Sequence, residues 1–150
     1  MTLKLRSSMP SFDGATTWLN GEVNQEGILG EKPVFIHFWS ISCELCREVI
    51  PAFNELKKQF QHDLTFLSIH MPRSEKELGL EDIQQVAQEN GITEPIMVDN
   101  QLVLTDAFEN EYVPSFYLFD KEGQLRHYQA GSDAMRMLTD RVQQLLDEEK

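Results

Sequence analysis

The sequence holds only two cysteines in 150 residues, too few for a scaffold built on disulfides. Cations are scarce as well: 13 Lys and Arg stand against 25 Asp and Glu, a formal net charge of −12. Nucleic acid and anionic membrane surfaces both require a cationic face, so neither is expected as the main partner. The acidic excess reads as solubility. No long apolar run is present. The longest, Val34 to Trp39, is interrupted by His37 and falls far short of the ~20 residues that a membrane span needs. The first ten residues carry charge and no apolar stretch of signal-peptide length. The missing targeting and membrane segments lead to the expectation of a cytoplasmic protein. A monomer is expected separately, with nothing in the sequence that derives it. Repeats, low-complexity segments and linkers are also lacking. The expectation is therefore one domain over residues 1–150. What the chain does have is core-forming material: 42 of its residues are Leu, Ile, Val or Phe, enough to pay the entropy of folding.

The residues from Met1 to Glu31 are the least regular, with Pro10 and four glycines, and are expected to hold one or two short strands pinned by Phe12 and Trp18. Pro33–Ser40 is short, β-branched and aromatic, and apolar on both faces, which predicts a central strand covered on both sides. From Cys43 to about Gln61 the period changes. Val49, Phe53, Leu56 and Phe60 recur at helical spacing, with Pro51 placed to kink the helix. Leu64–Ile69 and Pro95–Val98 read as further strands. Leu80–Asn90 reads as a helix stopped by Gly91, and Asn100 as the cap of a short helix through Phe108. Ser115–Asp120 and Gln124–Gln129 form a hairpin, and a last helix is expected from about Asp133. Strands alternating with helices imply parallel crossovers, and the hairpin adds an antiparallel edge. The predicted fold class is α/β, a central mixed sheet with helices on both faces.

Cys43-Glu44-Leu45-Cys46 carries the chemistry. The motif lies where the buried strand gives way to the helix. Cys43 thus falls at a helix N-terminus, where unpaired N–H groups and the helix dipole favour the thiolate. Cys46, one turn on, is more shielded and suited to resolving what Cys43 attacks. Two ordinary buried cysteines, or half of a zinc site, are the alternatives. A structural zinc site needs four ligands, and beyond these cysteines only His37, His62, His70 and His127 remain. No metal is therefore expected. His37 shares a strand face with Phe35 and Trp39. It is a candidate for proton transfer with the resolving cysteine, or else a hydrogen-bonded core residue. Glu48 is a second candidate for support, or an exposed first-turn carboxylate. For Val113–Pro114, propensity alone favours a trans peptide.

The run Phe38-Trp39-Ser-Ile-Ser-Cys43-Glu-Leu-Cys46, with Pro51 in the helix and Val113-Pro114 later, resembles the thioredoxin superfamily. The lead-in Gly30-Glu-Lys-Pro33 and the extra strand–helix segment from Met71 to Val98 resemble its TlpA/ResA branch. The resemblance covers almost the whole chain. It implies a thioredoxin fold with an N-terminal extension and a central insert. It also implies a redox-active disulfide, a cis-Pro114 facing it, and a substrate groove formed by Trp39, Val113 and Pro114. The chain departs from the family in places. Ser42 stands where a Trp usually precedes the first cysteine, His37 where many thioredoxins carry a buried Asp, and Val49 where the branch often carries Glu.

The expected function is a thiol–disulfide oxidoreductase that reduces protein disulfides without metal or organic cofactor. Cys43 attacks, Cys46 resolves, and a thioredoxin reductase or a low-molecular-weight thiol restores the dithiol. Three rivals use the same residues differently. One is a peroxide-reducing enzyme, whose Pro-x-x-x-Thr/Ser-x-x-Cys loop is matched by Ser40 but not by Ile36. Another is a Cu(I) carrier binding through both thiolates. The third is a binding module with incidental cysteines.

Overall fold

A six-stranded mixed sheet runs through the protein in the order β1-β4-β3-β2-β5-β6. The computed structural model describes residues 3–131 and 135–149. The strands are β1 (Thr17–Leu19), β2 (Val34–Trp39), β3 (Thr65–His70), β4 (Ile96–Val98), β5 (Ser115–Phe119) and β6 (Leu125–Ala130). The helices are α1 (Gln25–Ile28), α2 (Glu44–Gln59), α3 (Leu80–Glu89), α4 (Val103–Ala107) and α5 (Met135–Glu148). Strands β2, β3 and β4 are parallel, while β1, β5 and β6 run antiparallel to their neighbours. This is a thioredoxin-like α/β fold. The expected start of the last helix, about Asp133, lies outside the described residues.

Every residue of β2 is buried, because the sheet is covered on both sides. Alternation sends its side chains to two different cores. Val34, Ile36 and Phe38 pack with Leu104 of α4, with Phe108 at its C-terminal cap, and with Met9 and Phe12 of the N-terminal segment. Phe35 packs with Phe53 and Leu56 of α2 and with Leu138 and Val142 of α5. Trp39 packs with Cys46 and Ile50 of α2 and with Ile83 and Ala87 of α3. Each such side chain contributes about 1.5–3 kcal/mol by leaving water. This burial holds the end of β2, and the loop that follows it, at a fixed place above the sheet. Phe12 is buried and meets Trp18 edge-on, ring centres 6.1 Å apart, which secures the N-terminal segment.

One local expectation needs correction. Asn100 does not cap the short helix; its Nδ2 donates to the carbonyl of Leu78 at 3.0 Å. The cap is Asp99, whose Oδ1 accepts the Leu104 N–H at 2.9 Å and whose Oδ2 accepts the Thr105 N–H at 2.7 Å. Leu102 takes the left-handed conformation, φ 60°, so the chain makes a turn between the strand and α4. That turn brings the earlier carboxylate, not the Asn100 side chain, over the free amides.

Candidate active site

Cys43 is the N-cap of α2, with extended φ and ψ of −87° and 106°. Its Sγ accepts the Cys46 N–H at 3.0 Å. The same sulfur is joined to Cys46 in a disulfide whose Cα atoms lie 5.2 Å apart. The helix start therefore supplies a hydrogen bond to the first sulfur of the pair, as well as its dipole.

Accessibility does not separate the two cysteines as expected. In the disulfide state Cys43 is 2% exposed and Cys46 1%. Both lie in an apolar cluster with Trp39, Ile50, Ile83 and Val98, against which Ile41 and Val113 also pack. What distinguishes Cys43 is the N–H it receives, not its exposure.

The loop leading into Cys43 is held at each residue. Ser40 Oγ donates to the carbonyl of Met71. The Ile41 N–H donates to His70 Nε2 at 3.2 Å, and the Ile41 carbonyl accepts from Arg47 Nη2 at 2.6 Å. Ser42 Oγ donates to Glu77 Oε1 at 2.9 Å, and the Cys43 N–H returns to the Ser40 carbonyl at 3.1 Å. His70 and Glu77 are buried. Desolvation pushes the His70 imidazole down to about 4, against the opposing field of Glu77. It is therefore neutral near pH 7, free to accept from Ile41.

The Val113–Pro114 peptide is cis, and Val113 packs against the cysteine cluster. Behind this turn Asn110 is buried. Its Nδ2 donates to the Tyr112 carbonyl at 2.9 Å and lies 3.5 Å from Met71 Sδ, while Oδ1 accepts from Ser115 Oγ at 2.7 Å. Asn110 thus ties the Val113 turn to the residue that also holds Ser40.

Two assigned roles do not fit this arrangement. Trp39 lines no open groove. It is 1% exposed, donates from Nε1 to Ser68 Oγ at 3.2 Å, and meets the His70 ring edge-on. Complete coverage of β2 puts it beneath the disulfide. His37 is fully buried between Phe116, stacked at 5.0 Å, and Phe53, edge-on at 4.7 Å. Neither ring nitrogen has a hydrogen-bond partner among the described residues. Burial, aided by the charge of Lys57, pushes its proton affinity down to about 3, so it takes up no proton near neutrality. His37 is an apolar-packed core residue and an unsuitable base for Cys46. Glu48 is exposed on α2.

The sequence assigns no role at the site to Arg73, Glu77 or Asn110, marks Ser42 only as a departure from the family, and counts His70 only among candidate metal ligands. Ser42 and Glu77 are 35 residues apart, beyond the reach of any local pattern. The available signal was Ser42 itself, standing where the family resemblance led one to expect Trp.

The AhpC/TSA family pattern matches residues 5–128. The thiol-disulfide oxidoreductase YkuV of Bacillus subtilis is 54% identical over 97% of this chain and 99% of its own. The thiol-disulfide oxidoreductase ResA of Geobacillus kaustophilus is 28% identical over 84% of this chain and 69% of its own. Among solved structures, a thioredoxin-like protein in its oxidised form, studied in solution, superposes with a TM-score of 0.89 at 54% identity. That match covers 97% of this chain and 99% of the other.

Proposed function

Since this chain belongs to the AhpC/TSA family of the thioredoxin superfamily, we propose that its Cys43–Cys46 pair reduces disulfides of cytoplasmic protein substrates. It is a thiol–disulfide oxidoreductase of thioredoxin fold; the substrate class, the compartment and the order of steps are our reading. The observation that carries it is the position of Cys43. Its sulfur caps α2 and receives the Cys46 N–H, in a pair already joined as a disulfide.

In the reduced protein the same N–H and helix start stabilise a Cys43 thiolate. That thiolate attacks one sulfur of a substrate disulfide, forming a mixed disulfide and expelling the other sulfur as a thiolate. The Cys46 thiolate then attacks Cys43 Sγ, expels the second substrate sulfur, and closes Cys43–Cys46. Two electrons pass to the substrate, whose thiolates take up two protons. A thioredoxin reductase or a small thiol returns the pair to the dithiol. Cys46 is enclosed by Trp39, Ile50 and Ile83, and with His37 neutral and remote from titration its proton leaves to water. The half-buried Val113 and the Pro114 turn offer backbone beside the cysteines to an extended substrate segment.

Cys46→Ser is expected to retain substrates as mixed disulfides on Cys43, separable by reductant, and Cys43→Ser to retain none. Insulin reduction at the wild-type rate by Cys43→Ser would overturn the mechanism. Turnover of peroxide but not insulin would favour the peroxidase reading, although Ile36 occupies the place of its motif proline and Ser40 is tied to Met71. Tight Cu(I) binding without turnover would favour the carrier.

A further inference from the structure

Ser42, next to the attacking cysteine, sits between two opposite charges from the turn after β3. Its hydroxyl donates to Glu77 Oε1 at 2.9 Å and its N–H points to the same oxygen at 3.4 Å. The same hydroxyl accepts from Arg73 Nε at 3.1 Å and Nη2 at 2.9 Å. The second Glu77 oxygen accepts the Arg73 N–H at 3.0 Å and Ser74 Oγ at 3.5 Å. Every contact to this carboxylate is a donor, as suits its charged form. Glu77 is 4% exposed, whereas Arg73 is exposed and its guanidinium reaches Ser42 from the solvent side. A buried acid in an otherwise exposed turn of three residues, Glu75–Glu77, serves no core. Its bonds all go to its own turn and to the residue before Cys43.

We propose that Glu77 and Arg73 are opposed positioning residues for Cys43: joined through Ser42, they hold the loop that presents the sulfur and set, by opposite charge, how much of it is thiolate at neutral pH. The inference rests on Cys43 being the attacking thiol. Glu77 raises the proton affinity of the sulfur and Arg73 lowers it. Glu77 opposes the downward shift of His70, the β3 residue that accepts the Ile41 N–H of the same loop.

Other charges surround the site. On α2 stand Glu44, Arg47 and Glu48. Across the cleft beside Ser42 stand Lys76, Asp82 and Glu89, and Glu111 lies on the turn before β5. All of these are exposed and screened by water and salt. Arg73 is exposed as well but is held on the Ser42 hydroxyl, and Arg47 is held on the Ile41 carbonyl, a fixed charge common to every variant below. His70 is neutral near pH 7 and adds no charge. Glu77 is the one buried acid among them, and Arg73 is the cation that Ser42 fixes.

The test is the pH profile of Cys43, read as thiolate absorbance and as alkylation rate in the reduced protein with Cys46→Ser as background. Glu77→Gln keeps an acceptor for Ser42 and removes the charge, so the midpoint should fall. Arg73→Gln should raise it. Each shift is expected at roughly half a pH unit, the size of one charge acting through a partly aqueous path. The Arg73→Gln shift should shrink in high salt and the Glu77→Gln shift, from a buried charge, much less. The double variant should return near the parent. Ser42→Ala releases Arg73 without removing either charge and should move the midpoint up, toward that of Arg73→Gln. If Glu77→Gln fails to fold, Arg73→Gln and Ser42→Ala still decide. Shifts of the same sign in Glu77→Gln and Arg73→Gln, or no shift in Arg73→Gln and Ser42→Ala, would overturn the proposal and leave these residues as loop supports. The readout is on the sulfur itself. Failure of the oxidoreductase reading would instead appear as wild-type protein that does not reduce insulin.

Discussion

Replacing His37 with Leu should flatten the acid side of the stability profile. His37 lies fully buried between Phe53 and Phe116 with both nitrogens unpaired among the described residues. Desolvation first, and the charge of Lys57 second, bring it from 6.5 to about 3. In the unfolded chain it protonates at its ordinary value. Between pH 6.5 and 3 the unfolded state therefore binds more protons than the folded one, and stability falls as pH falls. At about 1.4 kcal/mol per pH unit, the full gap amounts to about 5 kcal/mol, all of it lost once the pH is below 3. Above pH 6.5 the group is neutral in both states and the linkage vanishes. At pH 5 about 2 kcal/mol of the penalty has already appeared. His70, brought down to about 4 by burial, adds a parallel loss that the substitution leaves in place. The assay is urea denaturation of wild type and His37→Leu at pH 7.5 and pH 5. Wild type should lose about 2 kcal/mol more than the variant between the two. At pH 7.5 the variant should be no less stable, since Leu removes two unpaired polar atoms that each cost about 1–3 kcal/mol. Equal losses in both proteins would refute the burial argument and reopen a titrating role for His37. The same argument predicts that His37→Leu leaves the pH dependence of mixed-disulfide resolution near neutrality unchanged, which stopped-flow kinetics would read.

Further expectations follow from the same geometry. Brief alkylation of the reduced protein should label Cys43 before Cys46, because Cys43 alone receives the helix N–H; mass mapping reads the order, and preferential labelling of Cys46 would reverse the roles. Asn110→Ala should cost about 1–3 kcal/mol by unpairing Ser115 and the Tyr112 carbonyl, and should weaken substrate trapping by Cys46→Ser protein; thermal melts and trapping yields check both. Lys57→Met would strand the buried Glu94, whose Oε1 lies 2.6 Å from Lys57 Nζ. Its cost should be about 3–5 kcal/mol, against a far smaller change for the double variant with Glu94→Leu. Asp99→Ala should lose about 0.5–2 kcal/mol with the cap of α4, whereas Asn100→Ala should lose less; denaturant titration of the two compares them.

Local chemistry fixed much of this protein in advance. The apolar run of β2, the helical spacing of Val49, Phe53 and Leu56, and the hairpin around Gly123 each follow from interactions a few residues long. The order of elements is therefore legible without coordinates. So is the redox pair, because a cysteine spacing at a strand-to-helix junction is itself a local pattern. The tertiary structure decided what lies around that pair. Whether His37 titrates depends on Phe53 and Phe116, which arrive from α2 and β5 and exclude water from both nitrogens. Whether Trp39 meets a substrate depends on α3 closing over β2. The hold on Ser42 comes from Arg73 and Glu77, more than thirty residues away. Alternation along a strand gives a side chain its direction, but not its dielectric or its partners. Those are set by elements that meet only when the sheet is assembled, and proton affinity and loop position depend on them.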